Sequence, residues 1–156
     1  MKKAINVFII SLGVILGSHA SQKAAFATLG EPSESVEKDL RALSASPHAQ
    51  ITHNGYTVQE FASAACVVRE YISPSNIVFG IAWNGFSNPD LSILLGSYVE
   101  EYRQNLNKAP HMYGRPFSQE KTGHIVVEHW GHMRDLQGRA YVPSLIPTGV
   151  TIEEIK

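Results

Sequence analysis

Two runs of β-branched and aromatic residues on either side of a short polar turn constrain the fold of this chain most strongly. The runs cover residues 66–72 and 77–83, and the residues between them are Ser-Pro-Ser-Asn. Such runs are typical of strands, whereas serine, proline and asparagine favour turns. The segment therefore predicts an antiparallel hairpin within a sheet.

The second strand of this hairpin has a bulky and a small face. Strand alternation places on one face Ile77, Phe79, Ile81 and Trp83, and on the other Val78, Gly80 and Ala82. We expect a helix to pack on the bulky face, with Trp83 in the core.

A helix of the required kind follows directly. The residues Asn88-Pro89-Asp90 suit a helix start, because they provide a cap and a proline in the first turn. Apolar residues then recur at helical spacing at Leu91, Leu94, Leu95, Tyr98, Val99 and Tyr102. The pattern predicts one long amphipathic helix over residues 90–104, with Gly96 as an unfavourable interior residue.

Further strands complete the predicted sheet, and their ranges are 56–61, 124–130 and 133–142. Residues 105–122 are expected to form a long loop. The last two strands are separated near Gly131, and Gly138 is expected to mark a bulge. A short edge strand is predicted around Val150, Ile152 and Ile155.

The expected architecture is α+β, with residues 55–156 as a single domain. It consists of an antiparallel sheet of about five strands with the long amphipathic helix packed on one face. Residues 28–54 contribute only a thin apolar stripe, at Val36, Leu40 and Leu43. Such a stripe is too narrow to hold a helix unaided, so we expect a weak N-terminal helix or a mobile arm there.

The N-terminal residues follow the pattern of a secretory signal peptide. A basic start at residues 1–3 precedes an apolar run at residues 4–16, which is too short to cross a bilayer. Small residues spaced for cleavage end at Ala20 and at Ala27. We expect a signal peptide over residues 1–27, with cleavage after Ala20 as the alternative, and no stable membrane anchor after cleavage.

Composition narrows the function classes. With 13 Lys+Arg and 14 Asp+Glu, the formal net charge is -1, so we expect no nucleic-acid partner. The single cysteine excludes an intramolecular disulfide and a cysteine-rich zinc site. Because no catalytic motif is present, we expect a non-catalytic protein without a cofactor.

Histidines provide one candidate metal site. If Trp130 and Gly131 form a tight turn, His129 and His132 face each other across it at a separation that a metal could bridge. A third ligand would have to come from elsewhere, for example from His111 or Glu128. His124 points away from His129, because the two are five residues apart on a strand. The alternative is a pair of surface imidazoles at a hairpin tip.

Cys66 is a candidate nucleophile with a histidine base. Alternation places it on the face of Val68 and Ile72, an apolar setting that hides the sulfur. A buried structural thiol is therefore the favoured interpretation.

Basic and aromatic residues provide a third candidate site. Arg69, Arg134 and Arg139 could form a ring on the helix-free face that holds an anion or a polysaccharide, and Trp130 at a predicted hairpin tip could contact a partner. The alternative is that the arginines are solvated strand ends. Arg69 should pair with a carboxylate on a neighbouring strand, since Glu70 points to the opposite face.

Several short motifs together resemble an exported bacterial family known as domain-of-unknown-function family 2844, found mostly in Gram-negative bacteria. They are Val67-Val68-Arg69-Glu70-Tyr71, Val78 to Trp83, Pro89-Asp90-Leu91, residues 94–98, 131–134 and 138–140, and Pro143 to Val150. The resemblance implies export to the periplasm or the exterior and favours cleavage after Ala27, but it implies no activity. Where the family pattern has a turn glycine this chain has Asn76, a residue that tolerates positive φ.

These observations lead to three functional hypotheses. The first is a small exported domain that binds another envelope protein through a sheet edge or the helix-free face. The second is a periplasmic protein that binds a metal or small ligand with the histidine hairpin. The third, which the residues favour least, is a thiol-dependent enzyme.

Overall fold

The computed structural model describes residues 29–33, 41, 43–108 and 117–156. The predicted signal peptide and both cleavage sites lie outside the described residues, as do Val36, Leu40 and His111. Among the described residues, no helix is long and apolar enough to cross a bilayer.

The described chain forms one seven-stranded sheet in which every neighbouring pair is antiparallel. The strands are β1 (Ser46–His53), β2 (Tyr56–Ala62), β3 (Cys66–Ile72), β4 (Val78–Gly85), β5 (Phe117–Lys121), β6 (Val126–His132) and β7 (Asp135–Tyr141). Their order across the sheet is β1-β2-β3-β4-β7-β6-β5, so β1 and β5 are the edges.

The α+β prediction, with about five strands and one long helix, is therefore wrong, and the fold is nearly all-β. Two strands were missed, β1 in the predicted arm and β5 in the predicted loop. Neither has the apolar alternation that marks a half-buried strand, and all residues of β1 are exposed. Pairing with a neighbouring strand, rather than burial of their own side chains, makes these segments extended.

The predicted continuous helix is also wrong. Helix α1 (Leu91–Leu94) is followed by a 3-10 turn at Gly96–Tyr98 and only then by α2 (Val99–Lys108). Gly96 has φ +45°, a left-handed conformation that interrupts a right-handed α-helix. The helical segment still buries Leu94, Leu95 and Tyr102 against the sheet.

The sheet has a hydrophobic core on each face. The helical segment covers the face that carries Phe61, Val68 and Trp83, which we call the helix face. The other face, the helix-free face, carries Tyr56, Tyr71 and Phe79 among others. It is covered by residues 143–156, which we call the C-terminal strap and which bury Ile155 completely.

The predicted faces of β4 are correct for Ile81 and wrong for Phe79. Pairing with β3 shifts near Ile72, so that β4 contains a bulge. As a result Phe79 packs in the core of the helix-free face, and a side chain at Gly80 would meet Ile155 of the strap on that same face. Trp83 is in the core as predicted, with 1% of its surface exposed.

Three predictions for the C-terminal part need correction. The turn between β6 and β7 lies at Met133 and Arg134 rather than near Gly131, and pairing across Gly138 is regular, without a bulge. The predicted edge strand around Val150 is instead part of the strap, which contains short 3-10 turns at Pro143–Leu145 and Ile152–Glu154. Proline and glycine interrupt the strap often enough to prevent extended pairing.

Candidate functional site

A row of charged side chains crosses the helix-free face. Glu60 and Arg69 lie opposite each other on β2 and β3, and Arg139 and Glu128 do so on β7 and β6. Ala82 of β4 separates the two pairs. Nε of Arg69 donates to Oε2 of Glu60 over 2.6 Å, which confirms the predicted cross-strand carboxylate.

The structure does not gather the three predicted arginines into a ring. Arg69 and Arg139 share a face and a row, whereas Arg134 lies in the exposed turn between β6 and β7 with φ +69°. Nε of Arg139 donates to Glu128, whose side chain is almost fully buried, and each of the two in-row guanidinium groups is therefore committed to its own carboxylate.

Contrary to the prediction, Trp130 does not lie at a hairpin tip. It lies within strand β6, where it is half-buried. Its indole Nε1 donates to Oε1 of Gln137 over 3.0 Å, and the guanidinium of Arg139 lies 5.7 Å from the ring centroid. These contacts give Trp130 a structural role on the helix-free face.

Arg139 also anchors the C-terminal strap. Its Nη1 donates to the carbonyl oxygen of Ile152 over 2.7 Å. At the far end of the strap, the hydroxyl of Tyr71 donates to the carbonyl oxygen of Lys156 and accepts from the amide of the same residue. The last part of the strap is thus held to the sheet through its main chain at two points, Ile152 and Lys156.

A groove of about 310 Å³ lies between the strap and the outer strands of the helix-free face. We call it the strap groove. Its lining combines apolar and aromatic side chains with charged ones: Ile51, His53, Tyr56, Val58, Tyr71, Glu60, Arg69, Glu154 and Lys156. A concave surface with a few convergent polar groups is the usual form of a binding site.

Tyr56 connects the groove to the strap. Its hydroxyl donates to Oε2 of Glu154 over 3.0 Å, and the ring of His53 stacks on its ring with a centroid distance of 4.8 Å. Burial and the hydrogen bond to Glu154 raise the pKa of Tyr56 to about 12. The phenol therefore remains protonated, and it serves as a hydrogen-bond donor, at any physiological pH.

Strand β1 forms the open side of the strap groove. Its residues Ala49, Ile51 and His53 pair with Glu60, Val58 and Tyr56 of β2, and residues in register share a face. No other strand in the described part of the chain pairs with the outer edge of β1. Its sequence, Ser-Pro-His-Ala-Gln-Ile-Thr-His, contains no lysine, arginine, aspartate or glutamate.

The predicted histidine pair is not brought together. Because β6 continues through His132 in regular register, His129 and His132 are an odd number of residues apart on one strand and point to opposite faces. His129 lies under the helical segment, 5.3 Å from the ring of Trp83 and with Nε2 3.4 Å from the hydroxyl of Tyr102. Burial there lowers the pKa of His129.

His124 has a different partner again, since its Nδ1 lies 3.0 Å from Oε2 of Glu101 on α2. Within the described ranges, no three His, Cys, Asp or Glu side chains are grouped as a metal site would require. His111, the suggested third ligand, lies outside those ranges.

Cys66 is a buried thiol on the face of Val68 and Ile72, as predicted. Its Sγ lies 3.5 Å from Oγ of Ser63, beside a cavity of about 170 Å³ whose lining includes Phe61.

Reasoning from the sequence missed β1, the strand that opens the strap groove. A signal for it was present at Asn54-Gly55, a dipeptide typical of two-residue hairpin loops. Gly55 has φ +93°, and the pair joins β1 to β2 between His53 and Tyr56. The position of the strap carried no comparable local signal.

Comparison with known families gives one result. A family described as "Protein of unknown function (DUF2844)" matches residues 25–155 of the chain. No curated protein and no solved structure matches it.

Proposed function

The chain belongs to the DUF2844 family of proteins of unknown function, and we propose that it is a small exported, non-catalytic domain that binds another envelope protein. In this proposal the partner contributes an extended segment that pairs with the outer edge of β1, beside the strap groove. The other edge strand, β5, is not the binding edge.

The exposed edge of β1 carries this proposal. All residues of Ser46–His53 are exposed, and the strand is already paired with β2 on its inner side. The outer side of such a strand presents main-chain donors and acceptors in a regular row, with which another extended chain can pair. Addition of a strand is therefore the interaction for which this edge is best suited.

The two edges of the sheet differ in how they are protected. Natural edge strands use charged side chains, prolines or bulges to prevent uncontrolled pairing with other strands. Strand β5 carries Glu120 and Lys121, whereas β1 has only Pro47 and an adjacent bulge near its start. The stretch from Ala49 to His53 lacks any such protection. This asymmetry favours β1 as the edge that accepts a partner.

The export part of the proposal rests on the N-terminal sequence. Lys2 and Lys3 are basic, residues 4–16 are mostly apolar, and small residues follow at Ala25 and Ala27. The match to the family begins at residue 25, so most of this leader lies outside it. An exported chain would encounter other envelope proteins, the class of partner that we propose.

Site-specific cross-linking in the producing cell tests the binding edge. Benzoylphenylalanine replaces Ile51 on β1 or, as the matched control, Phe117 on β5, since the two side chains are 52% and 49% exposed. We expect one discrete adduct with an envelope protein from position 51 and none from position 117. The proposal is overturned by the absence of an adduct, by the same adduct from both positions, or by cross-linking of position 51 to a second copy or to this chain itself.

Sequencing of the N-terminus tests export. Protein recovered from the envelope fraction should begin at Thr28, or at Ser21 if the alternative site is used. Recovery of the chain from the cytosol with Met1 retained would contradict the proposal.

A further inference from the structure

From the side chains that flank the β1 edge we infer the chemistry of the segment that pairs there. It alternates large apolar or aromatic residues, facing the strap groove, with uncharged polar residues on the opposite side. This inference rests on the proposed function and adds to it a sequence pattern in the partner.

The groove side of β1 presents apolar and aromatic surface. Ile51 is 52% exposed and lies in register with Val58, which in turn pairs with Tyr71. A strand added to β1 would lie about 4.8 Å from it, so the partner residue opposite Ile51 would contact that side chain directly. A large apolar side chain at this position removes the exposed surface of Ile51 from water.

The next position on the same side is set by His53. Its ring already stacks on Tyr56, with an angle of 16° between the ring planes. A partner residue two positions from the one opposite Ile51 would lie beside this stacked pair, since alternate residues of a strand share a face. An aromatic side chain there extends the stack by one ring.

The other side of β1 has a different character. Gln50 and Thr52 point there, in register with Gln59 and Thr57 of β2. These four side chains are polar and uncharged, so they offer hydrogen bonds and no ion pair. Serine, threonine, asparagine or glutamine is the partner residue that suits this side, because cross-strand pairs of such residues are favourable.

The length of the pairing segment follows from the bulge in β1. Register with β2 shifts between Pro47 and Ala49, and proline cannot donate to a ladder. Regular edge therefore extends from Ala49 to His53, a length of about 17 Å. The partner segment should contain about five paired residues, of which alternate ones face the groove.

Synthetic peptides test the pattern. The first probe is a fluorescein-labelled, end-blocked peptide in which phenylalanine and threonine alternate over five residues, and the second replaces each phenylalanine with serine. A third carries N-methyl groups on the amides that would donate to β1. Binding to the chain purified from the envelope fraction is measured by fluorescence anisotropy.

We expect the serine peptide and the N-methylated peptide each to bind at least about tenfold more weakly than the first, since the serine peptide loses its apolar contacts with β1 and the N-methylated peptide loses several hydrogen bonds. Ile51→Lys should weaken binding of the first peptide to a similar extent. Phe117→Lys, an equally exposed apolar residue on the opposite edge, should leave binding unchanged.

The pattern is overturned if the serine peptide binds as tightly as the phenylalanine peptide, if N-methylation has no effect, or if Phe117→Lys weakens binding as much as Ile51→Lys. Failure of the pattern and failure of the proposed function give different results. A specific adduct at position 51 whose cross-linked partner segment lacks apolar alternation overturns the pattern and leaves the binding edge in place. Absence of the adduct overturns both.

Discussion

The indole ring of Trp83 lies directly against the main chain of Gly138 on the neighbouring strand. The two residues are in register on β4 and β7, and a Cβ atom at Gly138 would overlap the ring at Cζ2 and Cε2. The indole Nε1 donates to Oδ1 of Asn88 over 3.1 Å, which limits how far the ring can move. Gly138 is thus required for space rather than for an unusual backbone conformation.

Substitution of Gly138 should destabilise the fold. Gly138→Ala forces the Trp83 ring or a strand to shift, which we expect to lower the free energy of unfolding by about 1–3 kcal/mol. Gly123→Ala is the matched control, because a Cβ there would lie 3.4 Å from its nearest neighbour, Oε1 of Glu101. Urea unfolding followed by tryptophan fluorescence measures both variants. Equal stability of the two would contradict the role assigned to Gly138.

His129 should make stability depend on pH in mildly acidic solution. Burial lowers its pKa in the folded protein below the ordinary value of 6.5, so protonation favours the unfolded chain. Stability is then highest above pH 6.5 and falls as the pH decreases through the folded-state pKa. Thermal unfolding between pH 7 and 5 should show this decrease.

Two variants isolate the contribution of His129. His129→Phe keeps a ring against Trp83 and should remove the decrease above about pH 5, where carboxylates with ordinary pKa values are still ionised. His132→Phe replaces an exposed imidazole at the end of the same strand, and the decrease in stability should persist in this variant. A decrease that persists unchanged in His129→Phe would show that another group is responsible.

The pair of Arg139 and Glu128 should matter more than the pair of Arg69 and Glu60. The Glu128 side chain is 6% exposed and that of Glu60 is 20% exposed. Arg139→Met leaves a buried carboxylate without its cation and should cost about 3 kcal/mol, whereas Arg69→Met should cost about 1 kcal/mol.

A double variant separates loss of the pair from loss of the strap contact. If the buried charge is the main cost, Arg139→Met combined with Glu128→Met should recover most of the stability lost by the single change. If the hydrogen bond from Arg139 to the carbonyl of Ile152 dominates, the double variant will be no more stable than Arg139→Met. Urea unfolding distinguishes these results.

Tyr56 should ionise at about pH 12. Because its folded-state pKa exceeds the ordinary value of 10, it stabilises the fold below pH 10, and this contribution is lost as the pH rises from 10 to 12. The difference in tyrosinate absorbance between the unaltered chain and Tyr56→Phe follows this residue alone. Glu154→Gln removes the carboxylate and should move the ionisation to lower pH, although burial keeps it above 10. Ionisation at pH 10 in the unaltered chain would contradict the assigned environment.

Predictions from local patterns succeeded where the deciding interactions are close in sequence. The hairpin of β3 and β4, the burial of Trp83 and the left-handed turn residue Asn76, with φ +65°, all follow from alternation and turn chemistry within a few residues. The same reasoning paired Arg69 with a carboxylate on a neighbouring strand. The same reasoning failed for the long helix. The apolar spacing alone predicts a continuous helix, whereas the left-handed conformation of Gly96 interrupts it.

The sequence by itself determined that the chain contains amphipathic strands, an apolar stripe at helical spacing after Pro89, and an N-terminal leader pattern. Only the tertiary structure decided that Ser46–His53 is an edge strand and that the C-terminal strap closes the groove beside it. The contact of Tyr71 with Lys156 joins residues 85 positions apart, and β1 buries none of its own side chains. Neither feature leaves a periodic trace in the sequence, since each depends on a surface that exists only after the sheet has formed.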